Sequence, residues 1–195
     1  MGIADAEVLA STSRGFPGIS LTDTFAMTER ESEMALGMFP ENTERIETQL
    51  DSAINVIVMN PPYSVGQKSA NDDNQNAKYP ALDAEIRNSY ALRSTATLKN
   101  GLYDSYYRAI KWATLRIKER GIIAFVSNNG FIDGNTADGV RHTWEEEFDD
   151  IFVFNLRGNQ RTQGELSRKE GGKIFGSGSR TGVAITLLVK NGEGV

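Results

Sequence analysis

Ile54-Asn55-Val56-Ile57-Val58-Met59-Asn60-Pro61-Pro62-Tyr63 is an apolar run that stops at two prolines. Its first half is rich in β-branched residues and reads as a buried strand of a parallel sheet. Pro61 and Pro62 lack backbone donors, so no ladder continues through them, and each holds its predecessor extended. Asn60 is thereby fixed at the carboxyl end of a strand, where open α/β sheets receive their ligands. Tyr63 follows as an aromatic face beyond a stiff corner.

That corner has a chemical use. The exocyclic amine of adenine is a weak nucleophile because its lone pair is delocalised into the ring. The Asn60 side-chain carbonyl and the Pro61 main-chain carbonyl, aimed at its two hydrogens, would draw the nitrogen toward a tetrahedral, attacking form. Such acceptors act on the transition state. Tyr63 would stack on the base, which must leave a duplex to arrive there. The plainer alternative is an Asn-Pro turn after a strand.

Asn60-Pro61-Pro62-Tyr63 resembles the catalytic motif of amino-group methyltransferases that use S-adenosylmethionine, chiefly adenine-specific DNA methyltransferases. Further stretches narrow the likeness: Leu21-Thr22-Asp23-Thr24-Phe25, Met38-Phe39-Pro40-Glu41-Asn42, Ser64-Val65-Gly66-Gln67, Tyr103-Asp104-Ser105-Tyr106, and 158–162 with 182–186. These resemble the single-chain type I (type ISP) restriction–modification enzymes, from about Phe16 onward. The resemblance implies nuclease, helicase and target-recognition parts in one larger polypeptide, DNA as partner, and S-adenosylmethionine as cofactor. It implies a partial class I methyltransferase fold of α/β, Rossmann-like type, with a mixed, mostly parallel sheet and a C-terminal antiparallel strand. It also places Asp23, after an expected short strand over 19–22, against the adenine of the cofactor. The alternative is that Asp23 caps the turn that follows.

Bulk properties narrow the class. The 195 residues suit a single domain over 1–195 with a sizeable core. Cysteine is absent, so disulfides, thiolate catalysis and cysteine-held metals are excluded, and no metal site is expected. No apolar run reaches membrane-spanning length and no signal-peptide pattern opens the chain, so no membrane partner and a cytoplasmic location are expected. The formal charge of −5 confines any DNA contact to a local basic patch.

Taken in order, Glu41 to Leu50 has helical composition, and 64–80 reads as a mobile polar loop. Leu82 to Leu92 reads as a short helix with Leu82, Ile86 and Tyr90 on one face. A stronger helix carries Tyr103, Tyr107, Ile110, Thr114 and Ile117, with Gly121 expected to end it. Ile122–Val126 is a second strand, so strand, helix and strand form a right-handed crossover. Asn135 is expected to cap a further helix whose buried stripe is Ala137, Val140, Trp144 and Phe148. The tyrosines and Trp112 read as packing, and His142, among glutamates, as surface.

Ile151–Leu156 and Val183–Val189 are the third and fourth strands. No helical pattern separates them, so they are expected to pair as an antiparallel hairpin. The intervening basic segment, 157–181, carries Arg157, Arg161, Arg168, Lys169, Lys173 and Arg180 against Glu165 and Glu170. With the third strand parallel to the one ending at Asn60, this segment opens on the same edge and can hold DNA phosphates. A solvated hairpin is the alternative.

One part of the usual methyltransferase is not seen: a glycine-rich turn upstream of Asn60 for the methionine end of the cofactor. Gly176-Ser177-Gly178-Ser179 comes late and opens no helix. The chain thus reads as the catalytic half of a methyltransferase domain, incomplete and inactive alone, with most of its cofactor site elsewhere. Methylation of glutamine or RNA by the same motif, and a non-catalytic interaction module, are the other readings.

Overall fold

Strand β1 (Val56–Met59) ends one residue before Asn60, at the point the prolines dictate. The computed structural model describes residues 20, 22–29, 40–62, 79–174 and 180–192, with 40 and 41 by backbone alone. The chain divides into two compact units, Met1–Ser52 and Ala53–Val195.

In the first unit, a single 3-10 turn spans Ala26–Thr28 and helix α1 spans Pro40–Asp51. Helix α1 buries Ile46 and exposes most of its other described side chains. The Ser20 hydroxyl donates to Gln49 Oε1 over 3.2 Å. The strand expected over 19–22 does not form at the described positions: Ser20, Thr22 and Asp23 pair with no other strand.

The second unit is a four-stranded sheet with helices on one face. After β1 come α2 (Pro80–Ile86), which widens into a π-turn over Arg87–Ala91, and α3 (Ser105–Arg116). Strand β2 (Arg120–Asn128) is followed by α4 (Gly130–Asp133), α5 (Asp138–Glu147) and β3 (Asp150–Arg157). Helix α6 (Gly164–Lys169) and β4 (Val183–Asn191) complete the unit. The order is β1-β2-β4-β3, with β1 parallel to β2 and β4 antiparallel to both its neighbours. Strand β3 therefore runs with β1 and β2, as expected, and the last strand is inserted between two that run the same way.

Both crossovers step in one direction across the sheet, so right-handedness puts their helices on one face. On that face Ile57, Ile123 and Leu188 lie in one row, and Phe125 and Thr186 in the next. The apolar four join Tyr90, Leu102, Ile110, Val140 and Trp144 in a continuous core. Each such apolar side chain contributes roughly 1.5–3 kcal/mol on full burial. The opposite face carries Val56 and Val58 on β1, Ile122 on β2, Leu187 on β4, and Phe152 and Phe154 on β3, all exposed; Val58 is 78% accessible.

Two local expectations are corrected. Helix α3 ends at Arg116, with Ile117 already extended, because β2 must start at Arg120 to meet β1. Gly121 serves that pairing instead of ending the helix: a Cβ there would lie 2.4 Å from the Asn55 carbonyl oxygen, which accepts from Ile122 N at 2.8 Å. Asn135 lies in a short 3-10 turn and caps nothing, and α5 begins after Ala137 without a side-chain cap. The expected stripe of Ala137, Val140, Trp144 and Phe148 is buried throughout. The face of Leu82 and Ile86 on α2 and Tyr90 in its π-turn is equally inaccessible.

Among the described residues no helix is long and apolar enough to cross a membrane.

Candidate functional site

Because β1, β2 and β3 are parallel, their carboxyl ends share one edge with the start of β4. Asn60 stands at that edge, exposed, with Pro61 buried behind it and Pro62 exposed. Among the described residues no hydrogen bond engages the Asn60 side chain. Among them, its amide oxygen is thus an uncommitted acceptor, next to two prolines whose φ is fixed. Tyr63 and residues 64–78 of the expected loop lie outside the described residues. Tyr79 and Pro80, which close it, are described: Tyr79 is buried under the Arg108 guanidinium, 5.4 Å from its ring centre.

Strand β2 runs three residues beyond the point opposite Met59 and ends in Asn128-Asn129-Gly130. Asn128 Oδ1 accepts from Gly130 N at 2.9 Å. Asn129 Nδ2 donates to Asn155 Oδ1 at 3.0 Å, tying the ends of β2 and β3 across β4. These amides line one side of a cavity of about 300 Å³, which Tyr106, Tyr107, Asn159, Arg161 and Thr181 also line.

Tyr106 and Tyr107 are positioned by α3, whose first turn is capped by Asp104 accepting from Tyr106 N. Their rings lie 3.9 Å apart, centre to centre. Burial pushes the Tyr107 hydroxyl up to about 12 and the Tyr106 hydroxyl higher still. Both remain protonated near neutrality and present neutral hydroxyls.

The far side of the cavity comes from the basic segment. At the end of β3 a bulge between Asn155 and Arg157 shifts the register. Arg157 there has φ +64° and Gly158 φ +85°, a turn that re-aims the chain. The loop beyond is internally tied: Gln160 N donates to the Arg180 carbonyl at 2.9 Å, and Asn159 N to Glu170 Oε2 at 3.0 Å. The segment also contains α6, which local pattern does not predict, since Gly164 opens it and Leu166 on it is exposed. A one-and-a-half-turn helix with no buried face leaves no apolar period to read.

All six basic residues singled out from the sequence are exposed. Arg157 Nη1 reaches the Lys169 carbonyl at 3.5 Å, and Arg180 Nη2 donates to the Gln160 carbonyl at 2.6 Å. Lys169 stands 3.7 Å from Glu165. Arg168 ends α6 and Lys173 follows it. Only Arg161 of the six lines the cavity. The segment therefore opens on the same edge as Asn60, as expected, but hangs from the strand farthest from β1. Asn128, Asn129, Asn159 and Thr181 were not singled out from the sequence. The signal that could have found them is the one used at Asn60, polar residues directly after an apolar strand.

Asp23 lies in the other unit. Its Oδ1 accepts from Phe25 N at 3.0 Å, so it caps the turn. His142 is exposed beside Glu145 on α5, as expected.

No protein-family model and no curated protein matches the chain. Solved structures do. A nuclease-deletion mutant of the Type ISP restriction–modification enzyme LlaGI, in complex with a DNA substrate mimic, is 49% identical, with a TM-score of 0.84 over 95% of this chain and 15% of that one. The ATP-dependent Type ISP enzyme LlaBIII bound to DNA is 46% identical, with a TM-score of 0.83 over 91% of this chain and 12% of that one. A DrdV–DNA complex is 40% identical, with a TM-score of 0.82 over 92% and 17%. Along nearly its whole length, this chain is similar to a segment forming about one seventh of a Type ISP restriction–modification enzyme.

Proposed function

We propose that this chain is the target-base half of an adenine-specific DNA methyltransferase domain within a restriction–modification enzyme. The observation that carries the reading is Asn60, an exposed amide at the carboxyl end of a parallel strand, without a hydrogen-bond partner among the described residues and followed by Pro61 and Pro62. Asn60 and the Pro61 carbonyl accept from the two hydrogens of the adenine amine, and Tyr63 stacks on the ring. The inserted antiparallel β4 in an otherwise parallel sheet supports a class I methyltransferase architecture. The exposed basic residues of 157–181 support DNA as the partner. The similarity to short segments of DNA-bound enzymes supports further parts on a longer polypeptide, including helicase, nuclease and target recognition.

S-adenosylmethionine supplies the methyl group in this chemistry. The described residues fit it only in part. Asp23 is the one residue expected to meet it, and its Oδ1 is spent on a turn. The residues for its methionine and ribose parts are proposed to lie outside this chain.

The test is single-turnover methylation of an adenine-containing duplex by the chain restored to a complete enzyme. Asn60→Ala removes one of two preorganised acceptors, and the rate should fall about a hundred- to a thousand-fold with DNA affinity little changed. Tyr63→Ala should weaken capture of the base, whereas Tyr63→Phe should be mild. An Asn60→Ala enzyme that methylates at the parent rate makes Asn60 a turn residue only.

A further inference from the structure

The cavity beside Asn60 is not explained by the acceptors that hold the amine, because Asn60 does not line it. Its lining is uncharged except for Arg161, and consists otherwise of amides, hydroxyls and small residues. Arg157 and Arg180 turn toward main-chain carbonyls and Lys169 toward Glu165, so Arg161 is the cation that the loop presents to this space. Its backbone is fixed, with Arg161 N donating to Asn159 Oδ1 at 3.0 Å and the Thr162 hydroxyl to the Asn159 carbonyl at 2.9 Å. Arg157 and Gly158, both with positive φ, form the turn by which this loop leaves β3.

A pocket with one guanidinium on a tethered backbone and a lining of amides and hydroxyls suits an anion carried on a polar, uncharged frame. Arg matches a phosphate with two parallel donors. The volume, about 300 Å³, is at the small end for ligand sites and matches one nucleotide unit better than a larger ligand. Position agrees. The cavity begins over β2, adjacent to β1, and reaches to the β3 loop, roughly two to three strand spacings of ~4.8 Å from Asn60. That is the scale of one nucleotide from base edge to phosphate.

We propose that Arg161 grips the phosphate flanking the base presented to Asn60, with Asn128, Asn159 and Thr181 surrounding the sugar between them. The proposal rests on the reading of Asn60 as acceptor for an adenine amine. It separates Arg161 from the other basic residues of 157–181, which would meet DNA outside this pocket.

The test uses the whole chain and a labelled single-stranded octanucleotide of one adenine among thymines, followed by fluorescence anisotropy across a salt series. In separate oligonucleotides, one phosphate is made neutral as a methylphosphonate, either next to the adenine or three linkages away. With Arg161 present, neutralising the adjacent phosphate should weaken binding about tenfold or more. In Arg161→Ala that penalty should vanish, while the distant substitution should cost the same in both proteins. Arg161→Lys should recover part of the coupling, since it keeps the charge but not the fork. On a single strand the salt slope should fall by about 0.7 for Arg161→Ala.

Equal penalties in parent and Arg161→Ala, coupling that does not depend on phosphate position, or no binding of the octanucleotide at low salt would each overturn the proposal. A separate arm replaces adenine by purine, which lacks the amine. If Asn60→Ala and the purine change prove silent while the phosphate coupling persists, the reading of Asn60 fails and the phosphate grip stands.

Discussion

Gly182 and Asn129 meet where β4 begins and β2 has just ended. Asn129 N donates to the Gly182 carbonyl at 3.0 Å, and a Cβ on Gly182 would lie within 2.5 Å of the Asn129 side chain. That side chain cannot swing away freely, because it also holds Asn155. Gly182→Ala should therefore break the Asn129–Asn155 bond and destabilise the second unit by about 1–3 kcal/mol. Urea unfolding followed by Trp fluorescence reads this, and an unchanged midpoint would refute it.

Cofactor binding by the isolated chain should be weak or absent. Asp23 is the one residue that the sequence resemblance assigns to S-adenosylmethionine, and its Oδ1 is engaged with Phe25 N. Titration calorimetry on the purified chain should give no heat at micromolar concentrations. A micromolar dissociation constant would mean that the chain holds a cofactor site of its own.

Thr186 sits in the middle of β4, inaccessible, with its hydroxyl unpartnered among the described residues. It pairs with Phe125 on one side and Val153 on the other. Removing an unsatisfied buried hydroxyl with little change of shape should help, so Thr186→Val should stabilise by about 1 kcal/mol. A loss of stability in chemical denaturation would indicate a partner for the hydroxyl.

Asp138 opens α5, and hydrogen bonds from Ser94 and Thr95 hold its carboxyl well below the usual carboxylate range. The Thr95 N–H reaches Asp138 Oδ2 at 2.8 Å. A depressed folded-state value means stabilisation that is complete above the unfolded value of about 3.9 and fades as pH falls through the folded one. Asp138→Asn should thus be clearly less stable than the parent at pH 7, with the gap narrowing below pH ~4. A gap independent of pH would assign the effect to packing.

The strands were legible because each contains a short apolar run, which at Met59 before Asn60 also has an abrupt end. Their directions followed from what lies between them: a helix with a buried stripe, such as Tyr107 to Thr114, forces a crossover. Boundaries were less legible. Gly121 looks like a helix stop, but its role is set by Asn55, far earlier in the chain, a relation invisible to local pattern. Helix α6 escaped notice because Leu166 faces solvent and nothing marks a buried face. The corner at Asn60 could be read in one stretch, whereas the cavity could not. Its lining comes from residues as far apart as Gly101 and Thr181, and only the sheet order brings them together.

Inserting β4 between β2 and β3 has a kinetic consequence. Strands β2 and β3 never bond to each other, so both wait for residues 183–191 before the sheet can close. On the ribosome, Ile122 to Asn128 and Ile151 to Leu156 would be synthesised with their facing edges open, and local contacts could form only around β1, α3 and β2. Pairings such as Ile122 with Val189 span more than sixty residues, and such distant closures are slow to form. The carboxyl edge bearing Asn60 and Arg161 therefore becomes a single surface only after β4 has left the exit tunnel.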